Sequence, residues 1–190
     1  MSPIRHPERS EGPLSSPSVA QASPFAALRV TALLALLLVP AFAFAADDPT
    51  AITVDHVIAE MNAYRAADGL PPLVAEQRLM KSADDRMHDM EDLGYWGHVA
   101  PDGRTPFVWL KANGYIHAYA AENLASGFET VHVLLEGWME SPGHRANIMS
   151  PLYDECGVAI IDGATTGHAT GKSVVVLFGR QRNEQQRAAK

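Results

Sequence analysis

The order in which helical and strand-like patterns follow one another decides which folds are open to this chain. Apolar residues first recur at helical spacing, and two apolar runs typical of buried strands come last. The predicted helices cover residues 53–68, 76–93, 105–114, 130–140 and 141–148, and the predicted strands cover 119–125, 156–161 and 173–178. Because helices and strands do not alternate regularly, the pattern predicts an α+β fold and not a doubly wound parallel sheet.

Local signals indicate where the helices begin and end. Gly94 is expected to close the second helix, and Thr105-Pro106 and Thr130 are expected to open the third and fourth. Ser141-Pro142 is expected to end one helix and start the next, with Ser141 as its N-cap. The residues expected on the inner face of the second helix are Leu79, Ala83, Met87, Met90 and Leu93.

Composition limits the class of protein and its partners. With 190 residues, 47% hydrophobic and 19% charged, the chain is typical of a globular protein with one folded domain. Its net charge of −7 argues against non-specific nucleic-acid binding, which needs a basic face. The single cysteine, Cys156, forms no internal disulfide, and its acidic neighbours Asp154 and Glu155 disfavour a reactive thiol. We expect a buried, unreactive Cys156 and a monomeric protein that depends on its hydrophobic core.

The N-terminal region indicates export. Residues 29–46 contain Arg29, an apolar stretch and a small-residue site ending at Ala46, which together are typical of a signal peptide. Residues 1–28 are rich in Pro and Ser and are expected to be a disordered leader, or the result of a start codon assigned too far upstream. The expected organisation continues with a globular domain over 47–184 and a polar tail over 185–190. The predicted location is therefore periplasmic or extracellular, with no stable membrane span once the signal is removed.

Two histidines lie in unusual local sequence. His98 is in a loop, 97–106, that contains two prolines and an Asp-Gly turn, and His144 follows Pro142-Gly143 in a first helical turn. Glu140 precedes His144 by four residues, but the proline interrupts the helix between them. Spacing alone therefore does not decide whether these residues bind a metal. His117 is a candidate for the rim of a pocket. The other histidines lie in helices, in the leader or in a polar loop and carry no such signal.

Three ordered blocks resemble the CAP superfamily, which includes cysteine-rich secretory proteins, antigen five and pathogenesis-related proteins. The blocks are Gly97-His98 with Pro101-Asp102-Gly103, then residues 121–125 (AENLA), then residues 138–149 (WMESPGHRANIM). With a matching final strand, the resemblance covers about residues 54–180 and is strongest to the bacterial SCP-like extracellular branch. It implies a three-layer α-β-α sandwich with a cleft lined by four residues, His98, Glu122, Glu140 and His144.

These four residues, here called the tetrad, allow several functions. Two imidazoles and one or two carboxylates suit Zn²⁺ or another divalent metal. Without a metal, Glu122 or Glu140 is a candidate catalytic general base of an extracellular hydrolase acting on a peptide or cell-wall substrate. A cleft with tryptophans nearby also suits a small molecule, a lipid or a peptide. The leading expectation is a secreted metal- or ligand-binding module; a hydrolase, or a surface interaction protein with a structural tetrad, are the alternatives.

Overall fold

Helices and strands follow the predicted uneven order in this computed structural model, which describes residues 48–163 and 170–183. The predicted leader, signal peptide and polar tail lie outside the described residues. No helix in the described part is long and apolar enough to cross a membrane. The elements are α1 (Val54–Ala67), β1 (Val74–Ala75), α2 (Gln77–Leu93), α3 (Phe107–Ala112), β2 (His117–Phe128), α4 (Val131–Glu140), α5 (Pro142–Ile148), β3 (Glu155–Asp162) and β4 (Lys172–Gln181).

The sheet has the strand order β1-β3-β4-β2, with β1 parallel to β3 and the other neighbours antiparallel. Strand β4 is buried on both faces, because successive side chains of a strand point to opposite sides. Val174, Val176 and Phe178 pack with α1 and α4, whereas Val175 and Leu177 pack with α2 and α3. Helices therefore cover both faces of the sheet, and the predicted α+β, α-β-α sandwich is confirmed.

Side-chain caps explain most helix starts. The side chains of Thr53, Glu76 and Thr130 accept backbone N–H groups in the first turns of α1, α2 and α4. The prediction that Thr105 caps the third helix is wrong, since α3 begins at Phe107 with Pro106 at its N-cap and no side-chain cap bond. Ser141 occupies the N-cap of α5 as predicted, but its side chain makes no capping hydrogen bond.

Two further predictions concern burial. Leu93 is 52% exposed, so its predicted place on the inner face of α2 is wrong; the helix ends there and Gly94 follows in the left-handed conformation. Cys156 is fully buried in β3, as predicted. Its burial raises the pKa of the thiol to about 12, which keeps it protonated and unreactive at neutral pH.

Helix α2 lies very close to the sheet where it crosses β3. A Cβ atom added at Gly157 would lie 2.1 Å from the carbonyl carbon of Leu79, so only glycine allows the two backbones to approach this closely. This contact fixes the height of α2 above the sheet. It also fixes Arg86, two turns further along α2, relative to Glu122 on β2.

Candidate ligand-binding cleft

Glu122 lies at the centre of the candidate site. It shares a face of β2 with Leu124, which packs in the α2–α3 core, and it is only 7% exposed. Its two carboxylate oxygens have separate partners: Arg86 Nε donates to Oε1 at 3.0 Å, and His98 Nδ1 bonds to Oε2 at 2.7 Å. The buried carboxylate is therefore charge-paired on one side and holds the His98 ring on the other.

Arg86 is a fully buried cation that serves the site from α2. Beyond Glu122, its guanidinium donates to the Tyr95 hydroxyl and to the Gly97 carbonyl, and it lies 4.9 Å from the centre of the Trp109 ring. Because Gly97 immediately precedes His98, the same side chain fixes both the carboxylate that holds the imidazole and the loop that carries it.

Asp89 provides a second carboxylate beside this buried cation. The Tyr95 hydroxyl donates to Asp89, and Arg104 Nη2 donates to Asp89 at 2.8 Å. Burial, followed by the hydrogen bond to Asp89, raises the pKa of Tyr95 to about 12. Tyr95 therefore stays neutral and bridges Arg86 to Asp89, so that the ion pair of Arg86 with Glu122 belongs to a network that also includes Arg104.

His98 combines a fixed ring with access to solvent. Its side chain is 57% exposed, yet Nδ1 is held by Glu122. The hydrogen bond to Glu122 raises the pKa of His98, because the carboxylate stabilises the protonated ring. Among the described residues, Nε2 has no hydrogen-bond partner. His98 therefore presents one oriented nitrogen to whatever enters the cleft.

His144 is positioned through two asparagines. Asn147 Nδ2 donates to Asn123 Oδ1 at 2.9 Å and to the Glu122 carbonyl at 3.3 Å, and Asn123 Nδ2 donates to the His144 carbonyl at 3.1 Å. These bonds dock α5 on β2. Burial, and then the nearby charge of His98, lower the pKa of His144. The pKa values of the two imidazoles are thus shifted in opposite directions.

A cavity of about 340 Å³ opens beside His98 and Glu122. Its other lining residues are Val99, Thr105, Pro106 and Phe107, so most of its wall is apolar. The Phe107 ring also packs 5.6 Å from the ring of His117, which lines a neighbouring cavity of about 230 Å³. The Phe107 ring therefore lies between the His98 cavity and His117, the predicted rim residue.

The structure links His98 directly to Glu122 and docks the helix that carries His144 on β2 beside Glu122. Glu140 is the last residue of α4, is exposed, and makes no hydrogen bond or ion pair with the described residues. Within residues 48–163 and 170–183, no group of three or more His, Cys, Asp or Glu side chains is arranged to hold a metal ion. The predicted metal and general-base roles of His98, Glu122, Glu140 and His144 stay predictions.

Comparison with known proteins agrees with this architecture. The model of the CAP family, described as the cysteine-rich secretory protein family, matches residues 58–178, which is more than half of the chain. This chain belongs to the CAP family. The matched region begins in α1 and ends in β4, so it contains every residue of the candidate site described above.

Relatives of this CAP domain include bacterial proteins. An uncharacterized protein of Bacillus subtilis, YkwD, is 37% identical over 106 residues, which are 56% of this chain and 41% of YkwD. The uncharacterized membrane protein YlbC of the same organism is 27% identical over 52% of this chain and 29% of its own length. The chain thus spans less than half of each of these curated relatives.

Solved structures show the same fold. An outer surface protein from Borrelia burgdorferi superposes with a TM-score of 0.60 at 23% identity, over 67% of this chain and 92% of that one. An extracellular protein with an SCP domain from Bacillus anthracis has a TM-score of 0.56 at 25% identity, over 68% and 44% of the two chains. These neighbours of the CAP domain are surface or extracellular proteins by their own descriptions.

Sequence reasoning missed the residues that support the tetrad of this CAP domain. Arg86 falls at helical spacing within the predicted inner face of α2, between Ala83 and Met90. A charged residue on an apolar stripe is a sign of a buried ion pair, because an unpaired charge there would be costly. Asn123 and Asn147 lie inside the matched blocks, but no local pattern indicates that they bond to each other.

Proposed function

We propose that this CAP domain acts outside the cytoplasm as a binding module, and that its ligand is a small organic group held in the cavity beside His98. The observation that carries the proposal is the buried ion pair of Arg86 and Glu122, which is hydrogen-bonded to His98. It orients an exposed imidazole at the polar end of an otherwise apolar cavity. An apolar cavity with a few oriented polar groups is the usual form of a ligand site.

The charge of the site indicates which ligands suit it. Glu122 favours the protonated form of His98, and Glu122 is itself paired with Arg86. In its protonated form, the exposed side of the His98 ring offers a hydrogen-bond donor to a ligand. An apolar body for the wall of Val99 and Phe107, with an acceptor or anionic group beside His98, is the best fit.

A divalent metal ion is the second candidate, favoured by one observation. A metal-binding histidine usually bonds through its second ring nitrogen to a carboxylate, as His98 Nδ1 does here to Glu122. The fit is partial: His98 and His144 are two donors, Glu122 already pairs with Arg86 and His98, and Glu140 makes no hydrogen bond or ion pair with the described residues. In this arrangement Glu122 would orient a ligating imidazole and would not bind the ion itself.

The same geometry disfavours Glu122 as a general base. Both of its oxygens already accept hydrogen bonds, and Arg86 stabilises its charge. Taking a proton from a substrate would disrupt this pairing inside a buried site. If the domain hydrolyses a substrate, His144, whose pKa is lowered and which is therefore neutral, is better suited to accept the proton.

The proposal is tested with an apolar anionic dye, anilinonaphthalene sulfonate, and with Zn²⁺ in a separate titration of the purified protein. We expect the dye to bind saturably, as measured by its fluorescence. Its affinity should fall by about tenfold or more in Phe107→Ser and in His98→Ala. Leu152→Ser is the matched control, because Leu152 is exposed to a similar degree as Phe107 but does not line the cavity. Equal dye binding in all four proteins would contradict the proposal. Calorimetric zinc binding that is lost in His98→Ala and His144→Ala, without dye binding, would favour the metal.

A further inference from the structure

Strand β2 is an edge strand with a long outer side. It pairs with β4 on one side only, and no strand of the described residues lies on the other. Its 12 residues begin beside Phe107 and pass Glu122 at the cavity. Unpaired backbone groups at such an edge are a template for an added strand.

The register shows which backbone groups of β2 point outward. Gly179 of β4 stands opposite Ala120, and its carbonyl accepts from Asp154 N, beside β3, at 3.2 Å. The backbone N–H and carbonyl of Gly179 therefore point towards β3. It follows that the backbone groups of Ala120 point away from β4, whereas those of Tyr119 and Ala121 point towards β4. By the same alternation, the backbone groups of Glu122 and Leu124 point outward.

Side-chain bonds confirm this assignment and show where the outer edge is covered. Asn147 donates to the Glu122 carbonyl at 3.3 Å, and Trp138 Nε1 donates to the Leu124 carbonyl at 3.2 Å. Helices α4 and α5 thus cap the second half of the edge. At Ala120, which is half-buried, neither the outward N–H nor the outward carbonyl has a partner among the described residues.

The segment of residues 117–122, whose outward backbone groups are uncovered by the described residues except for the Glu122 carbonyl, is bordered by apolar and basic groups. Phe107 contacts the His117 ring at one end and lines the cavity with Glu122 at the other. Tyr119 on the strand itself is 45% exposed, although it is aromatic. At the His117 end, the second cavity carries the cationic side chains of Lys111 and Arg182 in a protein whose net charge is −7.

We propose that the occupant of this edge is an extended peptide that adds to residues 117–122 as a further strand. This inference rests on the proposed function and specifies the ligand. An apolar side chain of the peptide enters the cavity beside Phe107 and His98, while a carboxylate of the peptide lies near Lys111. At about 3.3 Å per residue, the segment accommodates roughly six peptide residues.

A backbone partner explains features that a compact ligand does not. A small molecule in the cavity satisfies His98 but leaves the outward N–H and carbonyl of Ala120 without partners. An added strand pairs with both groups and covers the exposed Tyr119. Only every second backbone N–H of the added strand would bond to β2. Blocking these groups and blocking the intervening ones should therefore affect binding differently.

The test uses a library of capped and uncapped hexapeptides with alternating Val, Thr and Phe, followed by hydrogen exchange of the protein amides. We expect the Ala120 amide to exchange faster than those of Tyr119 and Ala121 in the free protein and to slow at least about tenfold on binding. Ala120→Pro removes the outward N–H without touching the ladder to β4, and we expect it to weaken binding by a similar factor. Ala120→Ser keeps the N–H and is the matched control.

Modified peptides keep the proposal falsifiable if Ala120→Pro does not fold. N-methylation at the alternate nitrogens that face β2 should abolish binding, and N-methylation at the intervening ones should not. Lys111→Glu should weaken the binding of peptides with a free carboxyl end more than the binding of amidated peptides. Peptide binding without protection at Ala120, or no peptide binding while the dye still binds, would overturn strand addition and leave the proposed function standing. Failure of dye, metal and peptide together would overturn both.

Discussion

Arg86 and Glu122 form an ion pair in which both side chains are almost completely excluded from solvent, at 3.0 Å from Nε to Oε1. Such a pair is costly to assemble, and removing one partner leaves the other charge buried and uncompensated. Because Glu122 also holds His98, the ion pair links the stability of the domain to the orientation of the candidate ligand-binding residue. The first prediction follows from this link.

Arg86→Met is expected to lower the free energy of unfolding by about 3–5 kcal/mol, since Glu122 loses its buried counter-charge. The measurement is urea unfolding followed by circular dichroism. The double variant Arg86→Met/Glu122→Leu should recover part of this loss, because no charge is then left unpaired. Lys81→Met, on the exposed side of the same helix, is the control and should leave the midpoint almost unchanged. A loss in Lys81→Met equal to that in Arg86→Met would contradict the argument.

The two histidines of the cleft are expected to titrate in opposite directions from the ordinary value of 6.5, with His98 above it and His144 below it. Glu122→Gln should lower the pKa of His98, since the hydrogen bond to the carboxylate is the main cause of its raised value. His98→Ala should raise the pKa of His144, because a neighbouring charge is removed. Nuclear magnetic resonance of the imidazole protons measures both, and identical titration of the two rings would contradict the assignment.

These shifts have opposite consequences for stability. The raised pKa of His98 contributes stability that is complete below the unfolded pKa and is lost as pH rises through the folded pKa. The lowered pKa of His144 contributes stability that is complete above the unfolded pKa and is lost as pH falls towards the folded pKa. In His98→Ala, therefore, the free energy of unfolding should fall less as the pH rises through the folded pKa of His98 than it does in the unmodified protein.

Asn147→Ala should destabilise the domain by about 1–2 kcal/mol, because it leaves the side-chain oxygen Oδ1 of the buried Asn123 without its donor. It should also loosen α5, so that the amides around His144 exchange faster. Arg145→Ala, on the exposed side of the same helix, is the control and should change stability by less than about 0.5 kcal/mol. Unchanged exchange around His144 in Asn147→Ala would show that other contacts dock α5.

Gly157→Ala should destabilise the domain by about 3 kcal/mol, because the added Cβ meets the backbone of Leu79, which cannot rotate away. Gly143→Ala is the matched control, since nothing lies within 4 Å of a Cβ at that position. Thermal unfolding compares the two variants. A midpoint for Gly157→Ala equal to that of Gly143→Ala would mean that α2 can move away from the sheet at little cost.

Much of the fold is predictable from short-range signals in the sequence. Thr130 and Glu76 begin helices that the apolar spacing already indicates, and the apolar run ending at Phe178 is long enough to mark a strand buried on both faces. Boundaries were less predictable where proline was involved. Pro106 could not be distinguished from a first helical residue by pattern alone, and the structure places it one position earlier, at the N-cap.

The candidate site was predictable only in part, because its support comes from residues far apart in the chain. His98 and Glu122 were found through the family resemblance, but the sequence does not show that Glu122 has both oxygens occupied. Arg86 is 36 residues away from its partner, and such pairing is decided by the packing of α2 on the sheet. Glu140 was grouped with the others by motif position, and its role in the tetrad stays a prediction.

The burial of β4 on both faces has a consequence for how the domain denatures. The strand contributes side chains to two separate hydrophobic clusters, one under α1 and α4 and one under α2 and α3. Neither helical layer can leave without exposing a face of the strand on which the opposite layer depends. We therefore expect the two clusters to melt together, in a single cooperative transition without a stable half-folded state.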